Sequence, residues 1–266
     1  MQEQFVIKSE SSIDCQPDEL ALLVGNDYFS YAIFVNDHLC ELKRYYLKHT
    51  SVDQLNGILQ ANDALNAPFS KITTAFDYTA NTLLPVDFNT GDNTPLLYLN
   101  NAGQQDHLIH EVVSDWELAN IYAVPYELLN WVLTHFPSSK FWHAQSIQLK
   151  NAAKGMANGC IDLNVRDKNF SVTVTRHDHL LLAQTYCYSA PADVLFYLFK
   201  ICEVFLLHQE TVQLNISGLI DKQSVLYKTL YDYFLNITFK EALWQQAGEY
   251  PAHYFTLLNQ VALCES

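Results

Sequence analysis

Arginine is nearly absent: Arg44, Arg166 and Arg176 are the only guanidinium groups in 266 residues, and 15 basic against 29 acidic side chains give a formal net charge of −14. A protein that grips a phosphate backbone needs a basic footprint, so nucleic acid is not expected as a partner. There is no C-x-x-C pair. Cys15, Cys40, Cys160, Cys187, Cys202 and Cys264 are scattered, which fits reduced, mostly buried thiols and not a disulfide framework or a zinc site. Long apolar runs are missing as well. The run Val194 to Phe199 is broken by Lys200 and Glu203, well short of the roughly 20 residues that cross a bilayer, so no membrane insertion is expected. The first eight residues show no basic segment followed by an apolar stretch, and the expected location is cytoplasmic.

What is present is core-forming material. Hydrophobic residues make up 49% of the chain, aromatics 13% and charged residues 17%, enough apolar volume for two compact units at this length.

Two stretches, Glu19 to Leu47 and Gly159 to Tyr188, alternate apolar and polar residues around Asn/Asp-rich turns. Laid over each other without gaps they match at a constant offset of 141: Phe29-Ser30 on Phe170-Ser171, Asp37-His38-Leu39 on Asp178-His179-Leu180, and Tyr45 on Tyr186. Leu22, Val24 and Ile33 fall on Leu163, Val165 and Val174 in the same frame. Side chains alternate faces with period two, so a register slip would destroy this correspondence; an internal duplication is expected, against the alternative of two chance-similar amphipathic hairpins.

Each copy continues alike. Residues after Ser51 read as a helix, Phe69 to Phe76 as a strand, Ser189 to about His208 as a helix with an apolar stripe of Leu195, Leu198, Phe199, Cys202, Phe205 and Leu206, and Val212 to Ile216 as a strand. Asp221 to Leu235 and Pro251 to Leu263 read as further helices and Ile237 to Phe239 as a short strand. The first half carries extra material near 81–118, with Asn81 to Gln105 read as irregular from its Pro and Gly content. Asn120 to Val124 and Phe141 to Ile147 read as strands, Pro125 to His135 and Gln148 to Lys154 as helices. The expected domains are 1–150 and 151–266. The first is the acidic one, with seven basic and eighteen acidic residues against eight and eleven in the second.

Two units of three antiparallel strands, helix, strand, helix, strand, helix resemble the duplicated ribonuclease-H-like architecture of the actin-like ATPases, an α/β fold of mixed sheets flanked by helices. The chain also resembles the domain-of-unknown-function family 3822, mostly from the Bacteroidota, through Leu22 to Tyr31, Tyr122 to Leu128, Val165 to Phe170, and Ile216-Ser217-Gly218. The resemblance implies an actin-like fold without implying an actin-like reaction.

An ATPase of that fold cradles phosphate with two tight turns in which glycine lets backbone N–H groups approach and a carboxylate orients Mg²⁺. The corresponding turns here are Gly25 to Ser30 and Arg166 to Ser171, and neither carries a D-x-G pattern. The candidate remnant of a nucleotide site is therefore Asn26, Asp27, Asp167, Lys168, Ser217 and Gly218, with plain turn geometry as the competing reading for each. The expected function is that of a non-catalytic binding or scaffold protein with another protein as partner and no cofactor. The alternative is a divergent ATPase or kinase-like enzyme using Mg-ATP.

Four other features are weaker. His177-Asp178-His179 sits between two strands and reads as a turn, because adjacent residues there do not converge on a metal. His107-Leu108-Ile109-His110-Glu111 is spaced like a helix but is not a zinc-protease motif. Asp162 is the natural nuclease-type carboxylate, although its counterpart is Ala21. Tyr227, Tyr231 and Phe234 share one helical face, as core or as a partner-binding strip.

Overall fold

The computed structural model describes residues 2–8, 17–88, 106–244 and 250–264. Cys15 and the stretch 89–105 of the insertion lie outside the described residues. The chain divides into two compact units, Met1–Ile147 with Trp244–Ala247 and Leu258–Ser266, and Gln148–Leu243 with Gly248–Leu257.

Unit 1 holds β1 (Gln2–Lys8), β2 (Glu19–Gly25), β3 (Tyr28–Val35), β4 (His38–Tyr46), β5 (Lys71–Asp77) and β9 (Lys140–His143) in a sheet of order β1-β4-β3-β2-β5-β9. β4, β3 and β2 run antiparallel, whereas β2, β5 and β9 run parallel. β6 (Asn81–Pro85), β7 (Asp106–Val113) and β8 (Leu118–Pro125) form a separate antiparallel sheet inserted between β5 and β9. Helix α1 (Val52–Ala61) is N-capped by the Ser51 side chain, and α2 (Tyr126–His135) packs beside it, with Trp131 Nε1 donating to Asn56 Oδ1 at 2.7 Å. α3 (Ala144–Lys150) carries the chain onward into unit 2.

Unit 2 repeats the pattern. β10 (Met156–Val165), β11 (Asn169–His177), β12 (His179–Cys187), β13 (Gln213–Gly218) and β14 (Asn236–Phe239) form a sheet of order β12-β11-β10-β13-β14. α4 (Pro191–Phe205) starts with Pro in its first turn and Asp193 accepting the backbone N–H groups of Ser189 and Ala190; that pairing holds the Asp193 carboxyl below its ordinary range. α5 (Val225–Tyr231) is capped by Ser224, and the last helix, α6 (Thr256–Ala262), belongs to unit 1 from Leu258 onward.

The duplication is legible bond by bond. Leu20 pairs with Ile33, Leu22 with Tyr31 and Val24 with Phe29; 141 residues on, Ile161 pairs with Val174, Leu163 with Val172 and Val165 with Phe170. Phe29 faces Tyr45 as Phe170 faces Tyr186, and the same irregularity recurs, at Ile33/Phe34 and at Val174/Thr175. A bulge is a specific local feature, and its return at the same offset argues for common descent of the two ribbons. The inward-facing residues of both sets are buried, against α1 and α2 in one unit and against α4 and α5 in the other.

Several element boundaries differ from the sequence pattern. Asn81–Pro85 is a strand, because β8 offers it a full ladder despite the nearby prolines. His107 to Glu111 lies in strand β7, so its two histidines do not share a helical face. The expected strand Phe141 to Ile147 stops at His143, where α3 begins, and no helix runs on to Lys154. α4 buries Leu198 and Cys202 of the expected stripe together with Val194 and Ile201; Leu195, Phe199 and Phe205 pack half-buried on the same core, and Leu206 is the exposed left-handed C-cap. α5 spans only Val225–Tyr231, and Phe234 belongs to the core while Tyr231 is exposed. The terminal helix opens with a 3-10 turn, Ala252–Phe255.

Candidate functional site

In each unit the turn after the first strand of the duplicated ribbon stands at the carboxyl end of the parallel strands, where open α/β sheets bind their ligands. In unit 1 this turn joins β2 to β3. Leu47 N donates to Asp27 O at 2.8 Å, Thr50 N to Asn26 O at 2.8 Å and Thr50 Oγ1 to Gly25 O at 2.7 Å, so three successive carbonyls are pinned by the segment leading into α1. In unit 2 two of the three equivalent carbonyls are held: Tyr188 N donates to Lys168 O at 3.0 Å and the Tyr188 hydroxyl to Arg166 O at 2.7 Å. Arg166 N closes the turn on Asn169 O at 2.9 Å.

Neither turn has the geometry of an anion cradle. No residue from Gly25 to Tyr28 or from Arg166 to Asn169 has a positive φ, so the alternating right- and left-handed backbone that gathers N–H groups around an anion is not formed. Tyr28 closes the first turn further. Its ring lies where a Cβ on Gly25 would stand, 2.3 Å from the nearest ring atom; its hydroxyl donates to Asp77 at the end of β5, and the Arg44 guanidinium sits 3.9 Å from the ring centroid. Arg44 is in turn fixed by Gln4 Oε1 at 3.0 Å and Ser30 Oγ at 3.3 Å. The sequence marks Tyr28 as bulky; the partners Asp77 and Arg44 come from other strands and leave no local signal.

Ser217 and Gly218 end β13 directly across from Asn164 and Val165. The Ser217 hydroxyl accepts from Asn164 Nδ2 at 2.9 Å, and both side chains are buried. Gly218 has φ +83° and lies so close to β10 that a Cβ would stand 2.1 Å from Val165 O. Backbone approach explains this glycine without a ligand. Asp167 and Lys168 are exposed in the neighbouring turn, so unit 2 brings four of the candidate residues to one end of its sheet; Asn26 and Asp27 occupy the equivalent end of unit 1.

The remaining clusters resolve into structure. Asp162 accepts from Asn215 Nδ2 at 2.8 Å and pairs with Lys240 at 3.3 Å, joining β10, β13 and the end of β14. Burial beside that carboxylate pushes the Cys160 thiol up to about 12, so it is an inert neighbour. His177 and His179 flank the β11–β12 turn, with His177 at φ +53°. Among the described residues no three His, Cys, Asp or Glu side chains are gathered to hold a metal ion. Ser30 and Ser171 each receive a side-chain hydrogen bond, from Arg44 and from Gln148, and neither has a histidine base.

Two sheets with one shared register define the duplicated actin-like ATPase fold. A protein of that fold and of unknown function from Bacteroides thetaiotaomicron VPI-5482 superposes with a TM-score of 0.79 at 15% identity, covering 96% of this chain and 100% of its own. The PilM-PilN type IV pilus biogenesis complex gives 0.61 at 12% identity, covering 93% and 98%. Residues 9–237 match the family described as Protein of unknown function (DUF3822), and the chain belongs to it. No curated protein matches the sequence.

Proposed function

We propose that this protein is a non-catalytic binding or scaffold protein, built from two ancestral copies at 1–150 and 151–266, that works in the cytoplasm and engages another protein without turning over nucleotide. The observation that carries this reading is the closed first turn. Tyr28 covers Gly25 from within the same turn, and its hydroxyl is anchored on a carboxylate, which repels the phosphate an ATPase would hold there. On this reading Asn26, Asp27, Asp167, Lys168, Ser217 and Gly218 serve turn and backbone geometry. Thiols also fit a reducing compartment: among the described residues Cys160, Cys187 and Cys202 are free. No helix of the described residues is long and apolar enough to cross a membrane.

Support for a protein partner comes from unit 2. Tyr231, Tyr233 and Leu235 are 64%, 51% and 71% exposed within five residues, beside Phe199, whose ring meets that of Tyr233 edge-on at 5.2 Å. Clustered tyrosines with aliphatic neighbours are the composition of an interface and not of an idle surface. The PilM-PilN structure is, by its name, a complex. The reading is tested by affinity capture from the native host. A stoichiometric partner is expected with the unaltered protein and with Asp27→Ala, and its loss is expected with Tyr231→Ser combined with Leu235→Ser. Recovery of the same partner by that double variant would remove the strip from the account.

A further inference from the structure

Duplication lets one unit show what the other lacks. In unit 1 the outer edge of β4 is covered by β1, which pairs antiparallel with it from Gln2 on Tyr46 to Lys8 on Glu41. At the offset of 141 the covered run Glu41 to Tyr46 becomes Leu182 to Cys187 of β12, the edge strand of its sheet, with no strand beyond it among the described residues. Burial follows the cover. Leu42, Arg44 and Tyr45 are buried, whereas the equivalent Ala183, Thr185 and Tyr186 are half-buried and Gln184 is exposed. Chain order explains the gap: β1 precedes the ribbon of unit 1, but no strand stands between α3 and β10, so unit 2 has no such arm before its own ribbon.

A sheet edge offers unpaired backbone N–H and C=O groups to any passing strand, and proteins blunt such edges with charge, proline or shortness. Among the described residues the other edges are blunted in these ways: β1 carries Glu3 and Lys8, β7 carries Asp106 and Glu111, β6 ends in Pro85, and β9 and β14 have four residues each. β12 has nine residues and no Lys, Arg, Asp, Glu or Pro. Its bulge at Leu181 lies before the open run, as the bulge at Cys40 lies before the run that β1 pairs. The edge is built to accept a strand.

Charge decides which strand. The β1–β4 seam is charged on both sides, with Lys43 at 3.8 Å from Glu3 and Lys8 at 3.7 Å from Glu41. On β12 the residues equivalent to Glu41, Lys43 and Arg44 are Leu182, Gln184 and Thr185, so a strand like β1 would leave its Glu3 and Lys8 without partners there. An uncharged strand loses nothing, and β12 is itself such a strand. We infer that two copies of this chain join β12 to β12, antiparallel about a two-fold axis, extending the five-stranded sheet of one copy into that of the other. Residues directly opposite in an antiparallel pair share a face, so the axis passes through a residue; centred on Gln184, it sets Leu182 against Tyr186 and Ala183 against Thr185 of the second copy. Residues 151–266 hold eight basic and eleven acidic side chains, so the seam joins the less acidic halves. It is independent of the tyrosine strip, which borders β14 at the opposite edge of the sheet, and of any nucleotide.

Sedimentation equilibrium on the full chain tests the seam. A short strand pairing makes a weak dimer, with a dissociation constant expected at about 10–100 µM. Gln184→Lys and Gln184→Glu each set like charges face to face on the axis, and each is expected to weaken the dimer about tenfold. The fold tolerates the change, since Lys43 occupies the equivalent position of β4. An equimolar mixture of the two variants should recover the dimer, because every mixed pair then opposes Lys to Glu. Amide exchange in Leu182 to Cys187 should slow as the unaltered protein is concentrated, and not in either variant alone. Tyr231→Ser combined with Leu235→Ser should dimerise normally, so the seam and the strip fail separately. The inference is overturned if the unaltered protein stays monomeric at about 500 µM, if Gln184→Lys, shown folded by circular dichroism, dimerises like the unaltered protein, or if the mixture remains as dissociated as its components.

Discussion

Replacing Gly218 by alanine is expected to destabilise unit 2 by about 2–5 kcal/mol, combining the cost of a left-handed backbone for an L residue with that of overpacking. The added methyl would stand 2.1 Å from Val165 O, 2.9 Å from Val165 N and 3.0 Å from Val165 C. None of these is the tip of a flexible side chain. Val165 ends the central strand of the sheet, and its carbonyl already receives Leu219 N at 2.8 Å, so neither backbone has room to retreat. Gly57 supplies the internal control. It lies inside α1 with nothing within 4 Å of its would-be Cβ, and alanine there is expected to stabilise by about 0.5–1 kcal/mol. Denaturant unfolding of both variants checks the opposite signs. A near-neutral Gly218→Ala would mean that β10 and β13 do not approach as described.

The second large effect is expected at a matched pair. Phe29→Ala and Phe170→Ala should each cost about 3–5 kcal/mol, the range for removing a buried aromatic ring from a packed core. Both rings are fully buried at equivalent ladder positions. Phe29 meets Trp131 of α2 edge-on at 6.4 Å, while Phe170 packs on Tyr186 at 5.6 Å and Tyr197 of α4 at 6.0 Å. The supporting helices differ in sequence, yet the ring does the same work in both units. Unfolding followed by urea titration should give comparable losses. A loss at one site several times that at the other would argue against a shared core design.

These positions were legible in the sequence because strand alternation is local: Phe29 and Phe170 keep their face whenever the offset of 141 keeps the register. The actin-like topology followed from the order of the elements after each ribbon. What stayed hidden depends on contacts distant along the chain. His143 ends β9 because its N–H meets the Glu111 carboxylate and its ring accepts Gln145 N, neither of which the run Phe141 to Ile147 announces. α4 is apolar on most sides, so its period alone does not choose Val194 over Leu195 as the buried position. At the candidate site, the turn residues were readable, but the Tyr28–Asp77 bond arises only when β5 is laid beside β2.

The closing of the first turn is tested most directly by thermal unfolding with and without Mg-ATP. The account predicts no shift with ATP, ADP or GTP at millimolar concentration. A nucleotide present at about 100 times its dissociation constant would add about 2.7 kcal/mol, a rise of about 5–10 °C for a chain of this size, and such a rise with release of phosphate would contradict it.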